Sequence, residues 1–372
     1  MKSFYSLCPL SRSAISPRII RPSQPSVFRS ISRTTYQMSS QREDSIPHEL
    51  RTAAEPRQNR LYPVRLSHIE QVNPSVRLLQ FALPPPEPND TNQQPFSFLP
   101  GQWLDVNIPS IAQAGGFTIT STPADAEELP PPEASGTLVE EEVDALPETE
   151  SQGRQPYVEL AVQDSPANPA AAWLWRPKED ILGKELSIRV GGSFVWPPAG
   201  VSLSSVKNVV LVAGGVGINP LISILSHLNN NEPHTTKPKT IRVLYSSRLP
   251  QGTASTDTKL DAILFLPRIR QIIRSQESSH RLQISLDLFL TNLASSADLI
   301  SAGSTSDITI HTGRISDADL RAAALGTDAE LDPRGTVCYV CGPPPMTDAV
   351  VESLRQILGE DGIQRVLFEK WW

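Results

Sequence analysis

The sequence predicts two domains: an antiparallel Greek-key β barrel over residues 61–200 and a doubly wound, parallel-sheet α/β domain over residues 205–372. Three observations support this fold class. The chain has 372 residues, more than one ordinary domain needs. Residues 61–198 carry short alternating apolar and polar runs with one short helix. From Lys207 onward, strands and helices alternate.

Residues 1–42 differ from the rest of the chain in charge. They contain seven basic residues and no Asp or Glu, and they are rich in serine. These features are typical of a mitochondrial transit peptide, and the alternative is a disordered basic tail. Residues 43–60 are polar and show no periodicity, so we interpret them as a linker.

The charge and the hydropathy pattern exclude several classes of partner. The net charge is −7, and without residues 1–42 it would be −14, which is unsuited to nucleic-acid binding. No apolar run approaches the roughly 20 residues that a membrane-spanning helix needs. The histidines and carboxylates are scattered without metal-ligand spacing, so we expect no metal site.

The barrel prediction depends on six short strands. We place them at 61–72, 75–83, 103–108, 115–123, 157–162 and 185–190. Asn168 and Pro169 form a helix start signal between the fifth and sixth strands. Residues 125–155 are acidic, proline-rich and of low complexity, so we expect a disordered insertion there.

A glycine stretch opens the α/β domain. The buried strand pattern of 209–212 leads into Gly214, Gly215 and Gly217, and a helical pattern follows. Without Cβ atoms the chain can turn sharply and let a phosphate approach the backbone, while the helix start offers free N–H groups. The alternative is a strand-to-helix turn that holds no ligand.

The remaining elements continue the alternation. We expect strands at 240–247, 282–290, 337–341 and 364–368, and helices at 260–273 with a bend at Pro267, 316–325 and 346–358. Cys338 and Cys341 form a C-x-x-C pattern within a strand, where residues three apart face opposite sides. A buried structural Cys338 is therefore favoured over a redox pair.

Seven motifs in order give the chain its resemblance to a known family. They are Pro100-Gly101-Gln102-Trp103, the segment 115–121, the Asn168-Pro169 helix start, 190–194, the glycine stretch, Cys341-Gly342-Pro343 and the terminal Glu369-Lys370-Trp371-Trp372. With these motifs the chain resembles the ferredoxin–NADP reductase superfamily over residues 61–372. The resemblance implies a flavin-binding barrel and an NAD(P)-binding α/β domain.

In the segment 115–121 the resemblance implies a flavin site. Phe117 would pack on the flavin, Thr118 would hydrogen-bond its ring as a catalytic residue, and Ile119 and Thr120 would line it. Gly115 stands where the superfamily has a phosphate-binding arginine, so FAD, FMN and a loosely bound flavin are all open. The backbone N–H groups at the helix start could hold the pyrophosphate instead, at Ala170, Ala171 and Ala172.

In the α/β domain the resemblance implies a nicotinamide dinucleotide, NAD or NADP. Gly214, Gly215 and Gly217 would line its pyrophosphate. Ser247 and Arg248 would meet a 2′-phosphate, unless Arg248 is an ordinary surface residue.

The same resemblance places Cys341, Gly342 and Pro343 by the nicotinamide, with Cys341 shaping the hydride-transfer pocket and not acting as a nucleophile. Trp372 would stack over the flavin or fill an apolar groove.

These expectations combine into a functional hypothesis. The chain would be a mitochondrial flavin oxidoreductase that takes a hydride from NAD(P)H and passes electrons to an unidentified small-molecule or protein acceptor. The rival is a degenerate member that binds a nucleotide without redox turnover, as a sensor or assembly factor; Gly115 motivates it. A dehydrogenase without flavin is disfavoured by the barrel-like first half.

Overall fold

The computed structural model describes residues 47–84, 95–128, 154–232, 238–250, 256–293, 308–328 and 331–370. Its first half is a six-stranded antiparallel sheet with strand order β4-β3-β6-β1-β2-β5. The strands are β1 Tyr62–Asn73, β2 Val76–Ala82, β3 Trp103–Asn107, β4 Gly115–Thr118, β5 Tyr157–Gln163 and β6 Glu185–Gly191. The edge strands β4 and β5 meet through an Ile119–Leu160 bridge and a 2.8 Å hydrogen bond from Thr120 N to Glu159 O. The sheet therefore curls into the predicted barrel form.

Alternation of side chains explains the barrel core. Leu66, Leu79, Phe81, Leu104 and Leu160 are fully buried and belong to one apolar cluster. Helix α2, Pro169–Leu174, covers one side of this cluster through Ala170, Ala171 and Leu174, and α3 is the single turn Lys178–Ile181. The six predicted strands are confirmed, although β4 ends at Thr118, five residues before the predicted end.

Residues 47–60, which we predicted to belong to a linker, instead pack on the barrel. This segment contains helix α1, His48–Arg51, with His48 buried. Gly192 N donates to Pro56 O at 2.9 Å, and Gln58 N donates to Val190 O at 2.9 Å. These main-chain bonds add 47–60 to the barrel domain beside β6.

The acidic insertion predicted for 125–155 lies outside the described residues over 129–153. At its edges the chain is folded. Pro123–Ala126 form a 3₁₀ turn capped by Thr122, and Asp125 pairs with Arg154 at 3.0 Å. The predicted insertion, 125–155, therefore included folded residues at both of its ends.

The second half is a six-stranded parallel sheet with strand order β10-β9-β8-β7-β11-β12. The strands are β7 Asn208–Gly214, β8 Lys239–Ser247, β9 Leu282–Leu290, β10 Ile308–Thr312, β11 Thr336–Gly342 and β12 Val366–Lys370. Helices α4 Ile218–Asn231 and α6 Leu266–Ser279 pack on one face, and α7 Asp317–Leu325 and α8 Pro344–Leu358 on the other. This is the predicted doubly wound arrangement.

Four features differ from the predictions. The helix expected over 260–273 is broken into α5 Thr256–Asp261 and α6, because Phe265 adopts a left-handed φ of 60° directly before α6. Strand β10 was not predicted, and α8 begins two residues early, at Pro344. A further single turn, α9 Gly362–Arg365, precedes β12.

The two domains share buried contacts. Val76, Leu78 and Ala161 of the barrel lie in the same apolar cluster as Leu211 and Ile222 of the α/β domain. This packing places the turn between β1 and β2 beside the carboxyl ends of the parallel strands.

Candidate functional site

A cavity of about 1370 Å³ lies at the carboxyl edge of the parallel sheet, and we call it the edge cavity. Five strands end at it: β7 at Gly214, β8 at Ser247 and β11 at Gly342, with β9 ending just before Thr291 and β10 just before Arg314. Ligands of open α/β sheets bind outside the carboxyl ends of the strands, so this is where the fold class places a ligand. Its volume exceeds the usual range of roughly 300–1,000 Å³ for a single ligand.

The three glycines of the predicted phosphate turn have different roles. A Cβ on Gly214 would lie 2.5 Å from Met346 Sδ, and a Cβ on Gly217 would lie 2.2 Å from the carbonyl oxygen of Cys341. These two glycines allow close packing. Gly215 has a φ of +56° and no atom within 4 Å of a Cβ, so it turns the chain toward open space. Gly214 and Gly215 line the edge cavity, whereas Gly217 lies behind the turn.

The start of helix α4 leaves donors for a ligand. No side chain caps the 3₁₀ turn Gly215–Gly217 or the helix that follows. The first N–H groups of a helix have no partner inside the helix, and they carry the positive end of its dipole. The turn therefore suits an anion.

The electrostatics of the edge cavity agree with this. Arg248 and Arg314 line it, and no Asp or Glu among the described residues does, although the chain as a whole is acidic. Within the described residues neither arginine forms an ion pair or donates a hydrogen bond that would hold it elsewhere. Ser247 also lines the cavity, beside Arg248. The arrangement can bind a ligand with several phosphates.

Arg314 was missed at the sequence level. It follows β10, the strand that was not predicted, and thus its position at the carboxyl edge was not visible. The signal that could have found it is Thr309 to Thr312, a short β-branched and alternating run directly before Gly313-Arg314.

The nicotinamide residues implied by the resemblance divide into two groups. Gly342 and Pro343 line the edge cavity together with Met346. Cys341 is fully buried behind them and is not part of the lining. Burial, and secondarily the charge of Glu369, raises the pKa of the Cys341 thiol well above its usual range, so the thiol is neutral and unreactive. Trp372 lies outside the described residues.

The barrel forms the opposite wall of the edge cavity. Asn73, Ser75, Val76 and Gln163 line it. Asn73 fixes this wall, because its Nδ2 donates to Ala262 O at 3.0 Å and its Oδ1 accepts from Ser75 N at 2.9 Å. The wall is polar and carries no charge.

The segment 115–121 lies elsewhere, within the barrel. Phe117 is 8% exposed and belongs to the barrel core, and Ile119 is fully buried. Thr120 Oγ1 donates to Glu159 Oε1 at 2.9 Å. Thr118 is 2% exposed, and its Oγ1 has no hydrogen-bond partner among the described residues. These four residues do not line the edge cavity.

The backbone amides predicted to hold a pyrophosphate are engaged within helix α2. Asn168 Oδ1 accepts from Ala170 N at 3.1 Å and from Ala171 N at 3.2 Å. Ala172 N donates to Asn168 O at 2.8 Å. The N-cap that the sequence predicted therefore occupies the three amides, and their role in holding a pyrophosphate stays a prediction.

A buried carboxylate with two arginine partners and a histidine partner lies in the barrel beside β4, and we call this group the Asp105 cluster. Asp105 is fully buried and pairs with His48 at 3.3 Å, Arg57 at 3.0 Å and Arg189 at 2.7 Å. Burial alone would raise the pKa of Asp105, but hydrogen bonds from His48, Arg189 and Arg57 outweigh it and lower the pKa to about 2. His48 also meets the ring of Trp103 edge-on at 4.6 Å.

The surroundings of the two implied cofactor sites therefore differ. A nicotinamide dinucleotide fits the edge cavity, with Gly215 open toward it and two arginines facing it. At the segment 115–121 the side chains of Phe117, Ala170 and His48 fill the space beside Gly115 and Gly116, and no arginine stands at Gly115 to hold the phosphates of FAD. Within the described residues no group of three or more His, Cys, Asp or Glu could hold a metal, and no helix has the length and hydropathy to cross a bilayer.

Comparison with known proteins agrees with this geometry. Residues 206–354 match the ferric reductase NAD binding domain family. The oxidoreductase NAD-binding domain-containing protein 1 of Danio rerio is 31% identical over 330 residues, covering 87% of this chain and 97% of that protein. Its counterpart in Bos taurus is 30% identical, covering 94% and 92%. The reductase component of propane 2-monooxygenase of Mycolicibacterium smegmatis is 25% identical, covering 77% and 62%.

Solved structures share the fold. The cytochrome P450 reductase GcoB of Amycolatopsis has a TM-score of 0.53 at 17% identity, covering 85% of this chain and 70% of that one. A ferredoxin NADP+ reductase of Neisseria gonorrhoeae with bound FAD and NADP has a TM-score of 0.52 at 12% identity, covering 85% and 100%. The predicted likeness to the ferredoxin–NADP reductase superfamily is confirmed at the level of fold.

Proposed function

Because the chain belongs to the family of oxidoreductase NAD-binding domain-containing protein 1, we propose that it is an NAD(P)H-dependent oxidoreductase with its nucleotide in the edge cavity. One observation carries the proposal. A glycine turn, an uncapped helix start and two arginines that have no ion-pair partner among the described residues meet at the carboxyl edge of a parallel sheet. This combination is suited to a dinucleotide and has no other evident use in the fold.

Each residue has a stated task. The backbone at Gly214 and Gly215 and the start of α4 hold the pyrophosphate. Ser247, Arg248 and Arg314 hold the adenosine end, and two cations there favour a ligand with a further phosphate, so we propose tighter binding of NADPH than of NADH. Gly342, Pro343 and Met346 support the nicotinamide. When bound, the reduced nicotinamide supplies a hydride.

The barrel wall sets where an acceptor would lie. Asn73, Ser75 and Gln163 face the nicotinamide residues across the cavity, whose volume of about 1370 Å³ leaves room for a second molecule. Neutral polar groups can orient an acceptor by hydrogen bonds and exclude water from the side facing the nicotinamide. The acceptor is a small molecule or a group presented by a partner protein.

The direct test is steady-state oxidation of NADPH and NADH by the purified full-length chain with a dye acceptor. We expect turnover above the rate without protein, a lower KM for NADPH, and a raised KM in the Arg248→Ala, Arg314→Ala double variant. Absence of turnover with either nucleotide, in protein that unfolds cooperatively and binds NADPH, would reject the redox function.

The second candidate function is a nucleotide-binding sensor or assembly factor without turnover. Its specific support is the filled space around Gly115, Gly116 and Phe117 where the superfamily would hold a flavin. Saturable NADPH binding without oxidation of NADPH by any acceptor would favour this candidate over the enzyme.

We also propose, from the basic and serine-rich residues 1–42, that the protein is imported into mitochondria. Fusion of residues 1–42 to a fluorescent protein, with the arginines changed to glutamine as the control, tests it. Diffuse fluorescence of the unchanged fusion would contradict import.

A further inference from the structure

Among the described residues, the segment 115–121 and its neighbours can be compared with what a resident FAD requires. FAD carries a diphosphate, and burying that charge needs cationic side chains or free N–H donors close to it. The resemblance placed this diphosphate between β4 and α2. The contacts of both elements can therefore be checked for space, for donors and for charge.

The first contact concerns space on the α2 side of β4. A Cβ on Gly115 would lie 2.5 Å from Cβ of Ala170 and 2.6 Å from Cε2 of Phe117. Real Cβ atoms do not approach other atoms so closely, so the strand and α2 are packed against each other here. The ring of Phe117 folds back over the position where an arginine side chain would begin, and an apolar contact replaces the cation.

The second contact concerns donors. The N–H groups of Ala170 and Ala171 donate to Asn168 Oδ1, and Ala172 N donates to Asn168 O. Helix α2 has only six residues, so it offers little dipole beyond these amides. A diphosphate would have to displace the cap of its own binding helix.

The third contact concerns the other face of β4. A Cβ on Gly116 would lie 2.1 Å from the ring of His48, which the segment 47–60 carries onto the barrel. His48 is held there by Asp105 and Trp103. The Asp105 cluster already pairs its cations, so Arg57 and Arg189 are not available for phosphate.

The fourth contact concerns the seam between the domains, just after β4. Ser223 Oγ of helix α4 donates to Ser121 O at 2.7 Å, and Asn219 Nδ2 donates to Ala161 O at 3.1 Å. Glu159 pairs with Arg268 of α6 at 2.9 Å. Protein groups thus pair with the main-chain oxygens of Ser121 and Ala161 at this seam. Among the described residues, the buried hydroxyl of Thr118 has no hydrogen-bond partner.

We propose that the barrel of this chain is flavin-free: it holds no resident FAD, and its role is to wall the edge cavity through Asn73, Ser75 and Gln163. The proposal deepens the proposed function only in assigning the barrel a role at that cavity. The absence of a flavin site stands on the contacts of β4 and α2 and does not depend on turnover.

The test measures flavin content and flavin affinity in the full-length chain. We expect less than about one flavin per ten chains released on acid denaturation. We also expect no saturable quenching of FAD fluorescence near 1 μM, the range of a tightly held cofactor, in a sample whose cooperative thermal unfolding shows that it is folded. One FAD per chain, or saturation near 1 μM, would overturn the proposal.

A paired variant keeps the test decisive. In Phe117→Ala the space over Gly115 opens while the Asn168 cap stays, so FAD binding should still be absent because no phosphate donor has been added. Appearance of FAD binding in this variant would show that only one side chain blocks a built flavin site, and would overturn the proposal. NADPH titration of the same samples tests the proposed function separately, because loss of NADPH binding would leave the flavin result intact.

Discussion

The two glycine segments of the chain, 115–116 in the barrel and 214–217 in the α/β domain, have opposite surroundings. Around Gly115 and Gly116, side chains of Phe117, Ala170 and His48 occupy the space that a missing Cβ leaves. Around Gly215 that space is open and faces a cavity. Glycine allows close approach in both places, but the protein itself approaches in one and a ligand can approach in the other.

Charge distinguishes the same two regions. In the barrel Arg57 and Arg189 pair with Asp105, and His48 lies against the same carboxylate. At the edge cavity Arg248 and Arg314 line open space, and the described part of the lining contains no acidic residue. Paired charge builds a core, whereas unpaired charge at a concave surface attracts an anion. The comparison therefore assigns structure to the first region and binding to the second.

The largest expected effect comes from removing the buried charge of Asp105 in the barrel. Asp105→Asn leaves buried cations without their anion and should lower the free energy of unfolding by about 3–5 kcal/mol. Chemical denaturation measures it, with the exposed Asp180→Asn as the control. A loss no larger than that of Asp180→Asn would show that the Asp105 cluster is not structural.

The same cluster predicts a pH dependence of stability. The folded pKa of Asp105 is about 2, below the unfolded value of about 3.9. Its contribution is therefore fully present above pH 4 and is lost as the pH falls toward 2. Between pH 5 and pH 2 the free energy of unfolding should fall more steeply with decreasing pH in the wild type than in Asp105→Asn. Equal slopes would contradict the assignment.

The next largest effect concerns the two arginines of the edge cavity. Arg248→Ala and Arg314→Ala should each weaken NADPH binding roughly 10- to 100-fold, since a charged hydrogen bond contributes about 1.5–3 kcal/mol. The melting temperature should not change. Calorimetric titration measures the affinity, and Arg321→Ala, an exposed arginine on α7, is the control. If Arg248→Ala and Arg314→Ala bind NADPH as tightly as Arg321→Ala does, these two arginines do not contact the nucleotide.

A matched glycine pair tests the comparison itself. Gly116→Ala should lower stability by about 1–3 kcal/mol through its clash with His48, without changing the NADPH affinity of the folded protein. Gly215→Ala should weaken NADPH binding, with about 1 kcal/mol of strain from its positive φ. Thermal unfolding and titration of both variants measure the two effects. Weaker NADPH binding in Gly116→Ala, together with unchanged NADPH binding in Gly215→Ala, would contradict the comparison.

The smallest effect concerns the seam between the domains. Ser223→Ala removes the donor to Ser121 O and should cost about 1–2 kcal/mol of stability. Ser226 lies on the same helix, and its hydroxyl has no partner among the described residues, so Ser226→Ala should be neutral. Equal denaturation midpoints for the two variants would show that the seam bond does not stabilise the domain contact.

The fold was predictable from the sequence where the periodicity was regular. The six barrel strands and most of the parallel strands alternate or run apolar over several residues, and Gly214 to Ile218 marks a strand-to-helix turn. Strand β10 was not found because it has five residues, of which one is buried. The segment 47–60 was not found because its contacts are main-chain bonds and an ion-pair cluster, which leave no hydrophobic pattern.

The site was predictable in part for a related reason. Gly214, Gly215, Ser247, Arg248, Gly342 and Pro343 line one cavity because they follow neighbouring strands, and strand order can be inferred from the fold class. Cys341 is buried one residue before the edge, which the motif does not reveal. The filled space at Gly115 depends on Phe117, Ala170 and His48, which meet only through tertiary packing.

Amide hydrogen exchange tests the contrast between the two glycine segments most directly. The full-length chain would be compared alone, with saturating NADPH, and with FAD at the same concentration. The account predicts that NADPH slows exchange at 214–218, 246–249 and 342–346, and that FAD changes nothing at 115–121 or 168–172. Protection of 115–121 by FAD, or no protection of 214–218 by NADPH, would contradict it.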